Sequence, residues 1–282
     1  VHACLEEGRR RLRGADAAAA PKALIAPHAG YVYSGPVAGS AYATLEGLRD
    51  RIDRVVLLGP SHRVAFRGLA LSSASFWRTP LGDVRLDHAG AAALEALPQV
   101  RVFDAAHAEE HSLEVQLPFL QETLASFLLL PLVAGDATPR EVAQVLELAW
   151  GGPETLIVVS SDLSHYYDYE KARSLDRVTT AAIEALRAEG LDEQSACGRV
   201  PVRGLLASAR LHGLTARTLD VRNSGDTAGP RDRVVGYGAY AVAWRPAGSR
   251  NTAARGARVD RALAARRPSA RGGRRRVPAR AA

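Results

Sequence analysis

Four short runs of nearly unbroken apolar residues, each closing on a polar cluster or a glycine, constrain this chain more than any other feature. KALIAP (22–27) ends at His28, and RVVLLGP (54–60) ends at Ser61 and His62. FLLLPLVAG (127–135) is a third, and TLIVVSSD (155–162) ends at Ser160, Ser161 and Asp162, with His165 close behind. Runs of this length without polar alternation suit strands covered on both faces, as in a parallel sheet. Between and around them the 3.6-residue period predicts helices at 37–48, 88–97, 113–124, 141–149 and 169–188. Pro139 fits a first helical turn with Thr138 as N-cap. Two further stretches, 214–222 and 233–244, read as strands that close the sheet. The alternation predicts an α/β fold, a mostly parallel central sheet with helices on both faces.

Composition narrows the class. Hydrophobic residues make up 47% and charged residues 24% of 282, ordinary for a soluble globular protein. No apolar run reaches the roughly 18 residues that cross a bilayer, and VHACLEEGRRRLRG is not a secretory signal. Two cysteines, Cys4 and Cys197, make no disulfide framework and point to a reducing, cytoplasmic setting. The formal net charge of +7 suggests nucleic acid until it is located. Residues 245–282 hold 12 arginines and one aspartate, so the 25 basic and 29 acidic residues left give the body a net charge of −4. Nucleic-acid binding by the body is thereby disfavoured. The expected organisation is an N-terminal segment (1–21), one α/β domain (22–244) and a disordered Arg/Ala-rich tail (245–282). An opening valine and the lack of methionine read as a truncated or non-standard amino terminus.

In open α/β sheets, ligand sites form outside the carboxyl ends of the strands. His28, His62 and the Asp162/His165 pair all follow strand ends, which points to one shared site. Neutral imidazoles suit zinc, iron or copper, and two histidines with an anionic third ligand resemble the facial arrangement of non-heme iron oxygenases. The anion is either Asp162 or the thiolate of Cys197 in SACGRVP, where Arg199 would favour thiolate and Gly198 would permit close approach. In EEHSLEVQLPFLQ (109–121), His111 either points into the same pocket or caps a helix, while Glu109 and Glu110 add negative charge near that helix's first turn. Gly30, Gly35 and Gly59 would let backbone approach the site. His88, His107 and His212 lack clustered partners and read as surface residues; His2 and Cys4 receive no role. A serine triad on Ser160 or Ser161 lacks the G-x-S-x-G elbow.

APHAGYVYSG, LGPSHRV, EEHSLEVQLPF, VVSSDLSHY, ACGRVPVRGLL and VVGYGAYAV stand in the order and approximate spacing of the Memo family, whose bacterial and archaeal members are called AmmeMemoRadiSam system protein B. The chain resembles that family from about Ala23 to Val242. The resemblance implies a fold similar to class III extradiol (LigB-type) dioxygenases, which use non-heme Fe(II). It implies metal ligation by His28, His62 and Cys197, with Fe(II) as the first expectation and copper or zinc as alternatives. Asp162, His165 and His111 fall on the family's remaining motif positions, with His165 as acid/base oriented by Asp162 or a hydroxyl. A cysteine in place of the dioxygenases' carboxylate softens the site toward copper or a redox role. Two departures stand out: a SWY-like segment expected before the first strand is missing, and the loop after SSDLSH is short. The functions in view are a dioxygenase-like oxidoreductase on an unknown small molecule, a metal-binding module serving a radical-SAM partner and AmmeMemoRadiSam system protein A, and a zinc hydrolase with His165 or Glu114 as base. No membrane partner is expected.

Overall fold

The computed structural model describes residues 1–12 and 20–244. The predicted tail, 245–282, lies outside the described residues. Eleven strands are described: β1 (Ala23–Ala26), β2 (Arg54–Pro60), β3 (Leu69–Leu71), β4 (Phe76–Thr79), β5 (Gly82–Arg85), β6 (Val100–Val102), β7 (Leu128–Ala134), β8 (Thr155–Ser160), β9 (His165–Tyr167), β10 (Leu214–Asn223) and β11 (Val234–Trp244). Eight helices accompany them: α1 (His2–Leu12), α2 (Tyr31–Tyr42), α3 (His88–Leu94), α4 (Ala105–Ala108), α5 (Leu117–Thr123), α6 (Pro139–Ala149), α7 (Tyr169–Glu184) and α8 (Arg199–Leu211).

The main sheet runs β10-β11-β1-β8-β2-β7-β3-β6, with β9 pairing on β11 and β4-β5 forming a separate hairpin. Its centre, β1-β8-β2-β7, is parallel throughout. The added strands β11 on β1 and β3 on β7 are antiparallel. The apolar runs are explained by alternation between two covered faces. Ile25, Val56, Leu58, Ile157 and Val159 join one core with α6, α7 and α8; Leu24, Val55, Leu57, Leu156 and Val158 join the other with α1, α2 and α5. The expected α/β class is therefore what folds.

Register places the chemistry. Ala26 pairs with Ser160, Leu58 with Val159, and Pro60 with Ala134. His28, His62 and Asp162 each lie two residues beyond a paired strand end, so all three emerge at one edge of the parallel centre.

Helix boundaries moved where local chemistry overrode periodicity. The 37–48 helix begins at Tyr31 instead, and 113–124 splits into a 3₁₀ turn (Glu114–Gln116) and α5. Thr138 does cap α6, in a reciprocal capping box with Glu141. α1 was not predicted; Gly8 and Gly39 permit its backbone to lie against that of α2, where a Cβ would meet carbonyl atoms at 2.1–2.3 Å. His107 is half-buried under Trp77, and His212 stacks on Trp150, so neither is a plain surface residue. No helix among the described residues is long and apolar enough to cross a membrane.

Candidate metal centre

The buried side chain of His28 is fixed by counting hydrogens. Its Nδ1 lies 2.8 Å from Ser160 Oγ. That hydroxyl donates its single hydrogen to the Ser112 carbonyl (2.6 Å) and accepts from Gln116 Nε2 (2.7 Å). The Gln116 amide is itself oriented, since Tyr42 OH donates to Oε1 and Nε2 donates to the Pro27 carbonyl. Ser160 has no second hydrogen to give, so His28 Nδ1 carries the proton and Nε2 presents a bare lone pair. Burial foremost, then the neighbouring His62 and His111, presses the His28 pKa well below the ordinary imidazole value.

His62 is set by a different device with the same result. Glu110, whose side chain is 1% exposed, accepts from His62 Nδ1 at 2.9 Å, from the His62 amide at 2.6 Å and from the Ser112 amide at 2.9 Å. Burial alone would raise this carboxyl, but the bonds from His62 and Ser112 outweigh it and hold its pKa at about 2. An ionised carboxylate only accepts, so His62 Nδ1 is the donor and Nε2 is free. This carboxylate–histidine pairing is the usual support behind a ligating imidazole. Gly59 makes room for it, because a Cβ there would sit 2.6 Å from Ser112 Oγ.

His111 completes the group: His28, His62 and His111 each offer one ring nitrogen, all within 4.8 Å of one another. His111 stacks on His62 with centroids 5.2 Å apart and stands edge-on to His28 at 5.7 Å. It points into the pocket and caps no helix. Its side chain is 45% exposed, and its ring makes no hydrogen bond among the described residues.

Cys197 reaches the same place from the loop before α8. Its Sγ is 3.3 Å from His28 Nε2 and accepts from the Asp162 amide at 3.3 Å. Gly198 permits this, since a Cβ would lie 2.6 Å from Ser161 Cβ and 2.7 Å from the Ser160 carbonyl. The expected help from Arg199 is absent: that guanidinium pairs outward with Glu193. Burial first, then the Asp162 charge, pushes the thiol up to about 12.

Asp162 is buried, which raises its pKa against the backbone amides of His28 (2.8 Å) and Ala29. It braces the His28 loop and does not orient His165. His165 Nδ1 instead donates to the Leu163 carbonyl at 2.8 Å, leaving Nε2 free as a base. A left-handed Tyr166 (φ 63°) follows, allowing His165 and Tyr167 both to pair with β11. The predicted Gly30 approach is not used, nor does Gly35 serve the site; it packs against Cys4.

Ser160, Gln116 and Glu110 were not singled out by sequence reasoning as supports of imidazoles. The signal available for Glu110 is an acid directly before His111.

The family model described as Memo-like protein matches residues 2–241. A MEMO1 family protein of Aeropyrum pernix is 37% identical over 252 residues, covering 84% of this chain and 89% of that protein. A MEMO1 family protein of Aquifex aeolicus is 37% identical over 228 residues, covering 77% and 84%. The crystal structure of an uncharacterised protein, JW3007, from Escherichia coli K12 matches with a TM-score of 0.52 at 14% identity, over 76% of this chain and 98% of that one, a likeness of fold alone. An α/β sheet with an imidazole cluster at its carboxyl edge defines the class. The chain belongs to the Memo family.

Proposed function

We propose that the chain is a metal-dependent oxidoreductase, related to the non-heme iron dioxygenases, whose iron is held by His28, His62 and Cys197. One observation carries the reading: protein acceptors hold the Nδ1 protons of both imidazoles, leaving each Nε2 bare, in a cluster with a third imidazole and with the Cys197 thiol 3.3 Å from His28 Nε2. The donor set fits a divalent transition metal, with neutral imidazoles and a sulfur that becomes anionic on ligation. Iron there would supply a redox-active Lewis acid; copper suits the sulfur equally. Asp162 keeps the His28 loop in register. His111, exposed and free to exchange protons, and His165, with a bare Nε2, are the groups able to move a proton. The substrate is a small molecule, and a radical-SAM protein together with AmmeMemoRadiSam system protein A are the partners proposed from the family.

A second reading, zinc-dependent hydrolysis, is favoured by the third imidazole, since three histidines with an open position suit zinc and activated water.

Metal analysis of anaerobically purified protein, beside Cys197→Ser and His62→Ala, decides between them. Iron or copper near one equivalent, lost in both variants, supports the oxidoreductase and justifies an oxygen-uptake screen. Zinc insensitive to Cys197→Ser moves the assignment to the hydrolase. Retained metal without oxygen uptake leaves a binding module that serves a partner.

A further inference from the structure

Against Glu110, the carboxylate that holds His62, lies a cavity of about 460 Å³ that none of the three clustered histidines lines. It is walled by Phe76 and Trp77 of the β4-β5 hairpin and by Asp104, Glu110 and Glu114. A second groove of about 330 Å³ adjoins it, sharing Arg78 and Glu114 and running past Tyr31 beside the His28 loop.

The charges in this space are not balanced. Arg78 is the one cation lining either groove, and both its forks are engaged by Asp83 at 2.8 and 3.1 Å. Asp104 and Glu110 already accept protein hydrogen bonds, from Ser73 and from His62 and Ser112. The Glu114 side chain has no ion pair and no hydrogen bond among the described residues, and it lines both grooves. His107, whose pKa burial lowers, borders the cavity, and its Nδ1 has no hydrogen-bond partner among the described residues. Three carboxylates, one spoken-for guanidinium and two aromatic walls, Phe76 being half exposed, suit an organic cation. Aromatic faces attract ammonium through their quadrupole, and an unpaired carboxylate supplies the counter-charge.

We propose that this cavity binds the ammonium group of an amine-bearing substrate, with Glu114 as counter-ion, Trp77 and Phe76 as walls, and the apolar remainder lying along the Tyr31 groove toward the histidine cluster. This names the substrate class of the centre proposed above and rests on that reading.

The test is calorimetric titration of metal-free protein with 2-phenylethylammonium chloride and, separately, with 3-phenylpropanoate, its carboxylate counterpart. Saturable binding of the ammonium probe, weakened roughly tenfold in Glu114→Gln and similarly in Trp77→Leu, with the carboxylate weaker in wild type, is expected from loss of one charge contact and one ring face. Both positions are accessible to solvent, and thermal melts check that the variants fold. No saturable heat, equal binding of both probes, or an unchanged affinity in Glu114→Gln overturns the proposal. Because no metal is present, these results stand whatever the metal analysis returns, and the two readings fail separately.

Discussion

Replacing Glu110 by glutamine is the sharpest probe of how the site is held. Three donors converge on this carboxylate: the His62 ring, the His62 amide and the Ser112 amide. A carboxyl moved from an ordinary pKa of ~4.3 down to about 2 interacts with its surroundings more favourably as an anion by roughly 3 kcal/mol. Glutamine keeps one acceptor oxygen but turns an NH₂ group toward the remaining donors. At least one buried N–H then loses its partner, at a cost of ~1–3 kcal/mol. Glu110→Gln is therefore expected to lower the unfolding free energy at pH 7 by about 2–3 kcal/mol, read from urea melts of metal-free protein. It should also release the His62 tautomer, visible as a change in the ring ¹⁵N shifts, and weaken metal binding roughly 10–100-fold. Unchanged urea midpoint and unchanged His62 shifts together would refute the argument that this carboxylate fixes the imidazole.

Other outcomes follow from neighbouring parts of the structure. With its pKa near 12, metal-free Cys197 should alkylate with iodoacetamide at pH 8 at least about a hundredfold more slowly than a free cysteine, and Gly198→Ala, which pushes its loop off Ser161, should speed the reaction. Asp176 on α7 is buried and accepts from the Ser164 amide, and burial lifts its pKa to about 6. The folded state thus holds this proton more tightly than the unfolded chain, so stability falls by about 3 kcal/mol as pH rises from ~4 to about 6. Asp176→Asn should flatten that window in pH-resolved denaturation, and an equally steep variant would contradict it. Thr138→Ala should cost ~1 kcal/mol through loss of the α6 capping box, with metal content unchanged.

The central strands were legible because residues buried on two faces must be apolar, and Ala23–Ala26, Arg54–Pro60, Leu128–Ala134 and Thr155–Ser160 are so apart from Arg54, Thr155 and Ser160 at their ends. Their register put His28, His62 and Asp162 together, which position in the sequence already implied. Short elements escaped notice. β3 and β6 are three residues each, too brief to show a period, and α8 contains Pro201 and Gly204 within its first turns. Gly204 is there because Val142 of α6 packs where its Cβ would be. The supports of the imidazoles were hidden for a different reason. Gln116 meets Ser160 across 44 residues and Glu110 meets His62 across 48, so neither pairing leaves a local pattern. The expected help of Arg199 to the Cys197 thiolate is missing because sequence shows Arg199 as a neighbour but not that its side chain turns outward to Glu193.

The line from Tyr42 through Gln116 to Ser160 settles, with a single hydroxyl hydrogen, which nitrogen of a fully buried ring faces the pocket. None of its members is on a flexible loop tip, and all three side chains are sealed from water. The ordering entropy of His28 is consequently charged to folding and not to ligation. An arriving ion meets a socket already oriented, so its association should be fast, its heat should carry little conformational signature, and melting of the site should coincide with melting of the sheet.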